Sequence, residues 1–390
     1  MSLRSESGIL VGVNAYFLGH PHTGSGQYLS QLVRWLPEVA PDLDLRLYTL
    51  AGTAVSPDLG RLVEPVEVPR GLAGNWAKLY FEQVAFPRRA LGQGCQLLFV
   101  PYLGPPILHP DTSVVTVHDT IPLLLPQYRH GALARAYSLL VRANARRARL
   151  LLADSRWTMR DTVQLLGAPP GRIRVVSLGV SGDLVPVRDG SEAARVRERY
   201  RLPAGYVLYM GGFDRRKRMD VLLAAYRLLA QATPAAPPLV VAGRLPERVG
   251  PAVTDVRRLV RESGLEDRVM LVGPLDEADK AAVLSGAMAF VFPSEYEGFG
   301  LPPLEAMACG VPVVAANASA VPEVCGEAAL LVRPGDAAAL AEALGRVVND
   351  ADLRRRMSRV ARARAAGFSW QATARLTAAA LREAHRGDKH

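Results

Sequence analysis

Ala289-Phe290-Val291-Phe292-Pro293-Ser294-Glu295-Tyr296-Glu297-Gly298-Phe299-Gly300-Leu301-Pro302-Pro303-Leu304-Glu305-Ala306-Met307-Ala308-Cys309-Gly310 decides how the rest of this chain is read. The apolar run up to Phe292 reads as a buried strand, and the Ala-rich run after the two prolines reads as a helix. Gly298 and Gly300 allow the backbone to come close to a ligand. Pro302 and Pro303 suit a helix start, because proline lacks only an N–H that would be unsatisfied there. The amides of Phe299, Gly300 and Leu301 are then expected to point out of a helix N-terminus, a place that favours an anion such as a phosphate. Two carboxylates frame them. Glu297 and Glu305 can be a general acid and base or acceptors for a ligand's hydroxyls, and Glu305 can also cap its own helix near position N3. With anion-binding amides between them, hydroxyl recognition on either side of a phosphate is the favoured reading.

The same strand-loop-helix grammar extends in both directions. Upstream of about residue 180, strands are expected at Ile9 to Phe17, Leu43 to Leu50, Gln96 to Val100, Ser113 to His118, Leu150 to Ala153 and Ile173 to Leu178, with helices at Leu29 to Val39, Trp76 to Phe86 and Leu133 to Arg149. A polar stretch, Ser181 to Pro203, containing a short charged helix, Glu192 to Arg199, reads as a linker. Beyond it the alternation restarts with Tyr206 to Met210, Leu239 to Ala242, Val269 to Val272, Ala289 to Phe292, Val311 to Ala315 and Ala329 to Val332. Alternation of this kind predicts parallel sheets covered on both faces. Two α/β domains are expected, residues 1–183 and 184–367, with a last helix from about 368 and a tail from Ala384 to His390. Ligands of such sheets bind beyond the C-terminal ends of the strands, which singles out Gly24 to Tyr28, Tyr102 to Pro106, His118-Asp119-Thr120 and Asp154-Ser155.

The composition bounds the partners. With 49% hydrophobic and 22% charged residues, the chain is globular, and no apolar run reaches the roughly 18 residues of a spanning helix. The first residues, Met1 to Ser7, lack the layout of a signal peptide. Three cysteines outside any CxxC pair predict reduced thiols and a cytoplasmic protein. The net charge of +10 hints at anionic partners, but only Lys78, Lys217, Lys280 and Lys389 are lysines, so 43 of the 47 basic residues are arginine and much of the charge reads as solvated surface.

Other motifs gather around the opening stretch. Gly211-Gly212-Phe213-Asp214-Arg215-Arg216-Lys217-Arg218 follows a strand directly and suits a diphosphate, with Arg as a fork of donors and Lys as a point charge. Gly24-Ser25-Gly26 resembles half a dinucleotide fingerprint, with Leu29 where the third glycine would stand. His118-Asp119 sits at a strand end and reads either as a structural pair or as part of a site. Leu275 and Lys280 lie beyond another strand end, where a nucleotide base could rest, although a surface position suits Lys280 equally. Asp42-Leu43-Asp44 precedes a strand and is not read as a metal site. Asp276-Glu277-Ala278-Asp279 has no phosphate-binding loop to accompany it and is dismissed.

Together these residues resemble the retaining glycosyltransferases of the GT-B fold known as group 1 or family 4, through Glu297-Gly298-Phe299-Gly300-Leu301-Pro302 with Glu305 as an E-x7-E signature. The resemblance implies two Rossmann-like domains with parallel sheets facing a central cleft, the first completed by residues 368–390. It implies a nucleotide-diphosphate sugar donor, UDP- or GDP-linked, held mainly by the second domain, and a glycan, lipid-linked or small-molecule acceptor. Glu305 would bind ribose hydroxyls. The Phe299, Gly300 and Leu301 amides with Arg216 and Lys217 would hold the diphosphate, and Glu297 the transferred sugar. Gly24 to Gly26 would close over the phosphates, and His118 would lie near donor sugar and acceptor. No metal, cofactor or nucleic acid is implied, and peripheral contact with the inner face of a membrane, through Asn75 to Arg89, is weaker than core packing of that segment. Gly212 departs from relatives that carry an arginine there. A nucleotide-sugar epimerase, a sugar phosphorylase and a non-catalytic sugar-nucleotide binding subunit are the rival readings. Exchange of Glu297 for Ala is expected to spare the fold and abolish transfer.

Overall fold

A computed structural model of the chain describes residues 8–21, 23–55, 59, 62–124 and 132–387, those from 132 to 137 by backbone alone. Met1 to Ser7 and residues 388–390 lie outside the described residues. The chain divides into two compact units, Met1–Gly179 with Trp370–His390, and Val180–Ser369.

The first unit carries β1 (Ile9–Asn14), β2 (Leu43–Leu50), β3 (Val63–Val66), β4 (Leu97–Val100), β5 (Ser113–Val117), β6 (Leu150–Ala153) and β7 (Ile173–Val175), in the order β3-β2-β1-β4-β5-β6-β7. All pairings are parallel. The second unit carries β8 (Tyr206–Met210), β9 (Leu239–Ala242), β10 (Val269–Gly273), β11 (Ala287–Phe292), β12 (Val313–Ala316) and β13 (Ala329–Val332), also all parallel, in the order β10-β9-β8-β11-β12-β13. Strands such as β4, β6 and β9 are buried along their whole length. They bury both faces, so their sequences are continuous apolar runs instead of alternating ones. Each fully buried Val, Leu or Phe side chain stabilises by about 1.5–3 kcal/mol relative to exposure.

Several expected boundaries move. β1 stops at Asn14, because the Asn14 side chain accepts the Tyr16 amide and turns the chain into a short 3-10 segment, Tyr16–Gly19. The helix expected from Leu29 begins at Gly24, capped by the Thr23 hydroxyl accepting the Gly26 amide. Trp76 to Phe86 is not one regular helix: Gly74–Tyr80 and Phe86–Gly92 are joined by a wider turn over Phe81–Ala85. β3 was not read at all, since Val63-Glu64-Pro65-Val66 carries a proline and pairs only at the sheet edge. The short helix expected at Glu192 to Arg199 begins two residues earlier, at Gly190, and is fixed to the second unit by Arg195 and Arg199, which pair with the buried Asp279 at 2.7 Å each. The dismissed Asp276-to-Asp279 motif is thus a structural ion cluster.

Helix Trp370–Arg386 packs in the first unit and runs into the stretch expected as a tail. Thr373 donates to the Ser177 carbonyl at 2.8 Å, Arg382 forks onto Asp42 at 2.8 and 2.5 Å, and Arg149 donates to the Ala384 carbonyl at 2.9 Å. Asp42 thus holds this helix in place.

Candidate active site

Both sheets reverse their strand order beside their first strand, between β1 and β4 in one unit and between β8 and β11 in the other. Such switch points open crevices at the C-terminal ends of the strands. In the second unit the loops leaving β8 and β11 are Gly211–Arg218 and Pro293–Gly300.

These two loops are tied by buried charge. Glu297 accepts from Lys217 Nζ at 2.5 Å through Oε1 and pairs with Arg216 Nη1 at 2.8 Å through Oε2. Ser294 Oγ donates to the same Oε1 at 2.5 Å, and the Glu297 amide donates to Ser319 Oγ at 2.8 Å. Arg216 also donates to the Tyr296 carbonyl at 2.7 Å, while its own carbonyl accepts the Glu295 amide. The three ionised side chains are only 9 to 14% exposed. Burial pushes the Glu297 carboxyl up, but Lys217 and Arg216 more than offset this and hold it below its ordinary value. Burial, joined by the neighbouring Arg216, holds Lys217 below the usual lysine range. A carboxylate oxygen has two lone-pair sites. Oε1 is therefore filled, and Oε2 keeps one for a ligand.

After Glu297 the chain turns through Gly300, whose φ of 113° is open only to glycine. Gly300 caps helix Leu301–Ala308 without a side-chain hydrogen bond. The prolines at the second and third helical positions have no N–H, and the amides of Phe299, Gly300 and Leu301 donate to no group among the described residues. Phe299 and Gly300 are nonetheless buried residues. Buried donors without partners are rare in proteins, and this row suits an anion. Glu305 is the fifth helical residue, not N3, so the capping alternative falls. Its Oε1 accepts from Lys280 at 3.0 Å, and Lys280 also reaches Glu277 at 2.5 Å. Burial raises the Glu305 carboxyl, and Lys280 offsets this only in part. Lys280 is 7% exposed, so the surface reading of it is overturned. Leu275 is half-buried two residues past β10.

The first unit's switch point has different chemistry. Gly24, Ser25 and Gly26 form the first turn of helix Gly24–Val39. A Cβ on Gly26 would lie 2.1 Å from the His20 carbonyl oxygen, so close backbone approach explains that glycine, whereas Gly24 faces open space. One turn on, Tyr28 sets its ring edge-on to His118 at 4.8 Å. His118 pairs not with Asp119 but with Asp154, at 2.8 Å through Nδ1, and its Nε2 lies 3.0 Å from the Pro101 carbonyl. Asp119 instead accepts the Ile121 amide. A carbonyl can only accept, so Nε2 carries a proton and cannot serve as a base. Burial lowers the affinity of His118 for its second proton, but Asp154, joined by Asp119 and the Pro101 carbonyl, raises it by more in sum.

Beside it stands a cluster that the sequence reading passed over. Lys78 Nζ lies 5.3, 5.9 and 5.2 Å from the ring centres of Tyr16, Phe17 and Tyr102. Glu82, buried beneath, pairs with Lys78 and accepts from the Tyr102 hydroxyl at 2.7 Å. Tyr16 and Phe17 were assigned to β1 and Lys78 to a core helix, which hid their convergence; Tyr102 at a strand end was the one available signal. Ser319, at a φ of 49°, carried no sequence signal.

A strand-order switch point in each of two parallel α/β units defines a protein class, and comparison with known proteins narrows it. Residues 192–364 match the family model "Glycosyl transferases group 1", and residues 22–184 match "Glycosyltransferase Family 4". The O-antigen chain mannosyltransferase B of Escherichia coli is 32% identical over 371 residues, covering 90% of this chain and 94% of that protein. Among solved structures, sucrose-phosphate synthase from Thermosynechococcus elongatus superimposes with a TM-score of 0.75 at 25% identity, covering 96% and 98% of the two chains. The Anabaena HepE protein in complex with UDP-glucose gives 0.72 at 20% identity, covering 95% and 98%. The chain belongs to the group 1 glycosyl transferases, of GT-B fold, and is a glycosyltransferase.

Proposed function

We propose that the protein transfers a hexose, mannose before others, from a nucleotide-diphosphate sugar to a glycan hydroxyl, with retention of configuration and without a metal ion or other cofactor. The observation that carries this reading is the row of unpartnered amides at Phe299, Gly300 and Leu301, set between Glu297 and Glu305 beside Arg216 and Lys217. The mannosyltransferase relative supports the sugar and the glycan acceptor.

In this reading the amides, Arg216 and Lys217 hold the diphosphate. As the bond from the sugar's anomeric carbon to phosphate oxygen breaks, these fixed donors stabilise the developing charge, and preorganised groups of this kind are worth about 2.7–4 kcal/mol each in other enzymes. The acceptor hydroxyl attacks the anomeric carbon from the same face, and its proton passes to the departing phosphate oxygen. No protein nucleophile takes part. Glu297 offers its one remaining lone-pair site on Oε2 to a hydroxyl of the transferred sugar. Glu305 Oε2, which accepts nothing from the described residues, takes the ribose hydroxyls, and Leu275 and Lys280 border the base. Gly24 and Ser25, whose amides have no partner among the described residues, offer donors to a phosphate at the first unit's own switch point. In the first unit His118 remains an imidazolium, and the Tyr16, Phe17 and Tyr102 rings receive the acceptor glycan, since aromatic faces suit the C–H faces of sugars. We place the enzyme in the cytoplasm; none of its described helices is long and apolar enough to cross a membrane.

The test is transfer from GDP-mannose, UDP-glucose and UDP-galactose to mannose-terminated oligosaccharides, with and without EDTA, the product's anomeric coupling being read by NMR. Retained configuration and EDTA-resistant turnover are expected. An inverted product, or activity that vanishes with EDTA and returns with a divalent ion, overturns the mechanism.

A further inference from the structure

A groove of about 820 Å³ opens in the second unit at the N-terminal ends of the strands, away from the Glu297 loop. Its floor is Ala287 and Met288 at the start of β11, with Gly310 and Pro312 before β12. Its wall is helix Ala351–Ala365. Glu297 lies beyond the other end of β11, a strand of six residues, so about 20 Å of strand separates the two places. Five arginines and one acid line the groove: Arg354, Arg355, Arg356, Arg359 and Arg362 against Asp352. That is a formal +4 out of a chain total of +10.

The arginines are not equivalent. Arg354 is committed to structure, donating to the Val347 and Val348 carbonyls at 2.8 and 2.6 Å. Arg355 pairs with Asp352, and Arg356 comes only to 4.0 Å from Asp350. The side chains of Arg359 and Arg362 have neither a hydrogen bond nor an ion pair to any described residue. Arg355, Ser358, Arg359 and Arg362 stand at i, i+3, i+4 and i+7, one face of the helix, extending along about 10 Å of its axis. Like charges at that spacing repel and weaken a helix, which a bound anion would reverse. The stem of Arg362 is also seated. It crosses the turn at Gly310, where a Cβ would come within 3.3 Å of Arg362 Cδ and 2.9 Å of Ser358 Oγ.

We propose that this groove is a second anion site, distinct from the active site, which binds phosphate groups through Arg355, Arg359 and Arg362 with Ser358 as a neutral donor. Guanidinium forks match phosphate oxygens in pairs, and the volume falls within the roughly 300–1,000 Å³ of small-ligand sites. The spacing of Arg355 to Arg362 spans two phosphate groups. Those groups belong either to a soluble phosphorylated compound or to lipid headgroups.

The test uses the full-length protein with the active site saturated by UDP or GDP, so that added anions report on the groove. Inorganic pyrophosphate is titrated by calorimetry into wild type and into the double variant Arg359→Gln/Arg362→Gln. In parallel, both proteins are floated with vesicles of phosphatidylcholine alone and with phosphatidylglycerol added. Binding of pyrophosphate weakened at least about tenfold in the double variant, with donor hydrolysis unchanged, supports the site and a soluble ligand. Flotation only with phosphatidylglycerol, lost in the double variant, supports the site and a headgroup. Equal pyrophosphate affinity and equal flotation in the two proteins overturn the proposal, leaving the helix face merely solvated. Gly310→Ala, which displaces the Arg362 stem while keeping every charge, is expected to weaken the same binding, and an unchanged affinity there overturns the role of that stem.

Discussion

The two units share a strand order around their switch points, yet they fill those points with opposite chemistry. In the second unit, two cations and an anion are buried together on loops that also present unpartnered amides. In the first, three aromatic rings surround one lysine, and a histidine is held by an acid and a carbonyl. The fold supplies a crevice in each case, and residue type alone decides what the crevice binds. A charged, preorganised crevice suits a diphosphate leaving group. An aromatic one suits a neutral saccharide. The two are therefore expected to fail differently when altered.

The largest effect is expected at Glu297. Replacing it with Ala leaves Arg216 and Lys217 buried without their common anion, and breaking a buried pair in this way costs about 3–5 kcal/mol. The exchange first expected to spare the fold is thus expected to lower the unfolding midpoint in urea clearly, besides abolishing transfer. An unchanged midpoint would show that the three charges are not coupled. Next in size is Lys217→Ala, expected to reduce kcat/KM by about 10²–10³-fold, with donor hydrolysis falling in step. If transfer falls while hydrolysis stands, Lys217 is not stabilising the leaving group.

This division also marks what the sequence made legible. Glycine, proline and glutamate at fixed spacing between an apolar strand and an Ala-rich run located the second unit's loop, because each residue there answers a local backbone demand. β2, β6, β8, β9 and β13 match their expected bounds to the residue: β6, β8 and β9 because strands buried on both faces are unbroken apolar runs, and β2 although Asp44 and Arg46 interrupt its leucines. The partners were not legible. That Glu297 binds Lys217 and Arg216, 80 and 81 positions upstream, or that His118 binds Asp154, depends on strand order, which local sequence does not encode. Tyr16, Phe17, Lys78 and Tyr102 come from three separate segments, and nothing in any one of them announces the other two.

A smaller effect is expected in the aromatic crevice. Phe17→Ala removes one ring from the set around Lys78, and the loss of an aromatic contact is worth about 0.5–1.5 kcal/mol. The KM for a glycan acceptor is expected to rise by that amount, roughly two- to tenfold, while donor hydrolysis stays at the wild-type rate. Equal loss of both activities would mean that the cluster supports the first unit's fold and does not touch the acceptor.

The smallest effect is a dependence of stability on pH. Asp154 raises the proton affinity of His118 above its ordinary value against the opposing pull of burial. The folded protein therefore holds that proton more tightly than the unfolded chain does. The stabilisation it provides is complete below about pH 6.5, the unfolded value, and is lost as pH rises through the higher folded value. The melting temperature should fall gradually as pH rises above that point, and His118→Gln should flatten this slope while lowering stability most at the acid end. The second unit offers the contrast. Burial of Glu305 raises its carboxyl, so its contribution is most favourable below the unfolded glutamate value near about 4.3 and declines as pH rises through the folded one. Glu297 runs the other way, because its depressed carboxyl loses its stabilisation only as pH falls through the folded value. A slope above pH 6.5 that survives His118→Gln would assign the titration to another group and remove the imidazolium from the first unit's crevice.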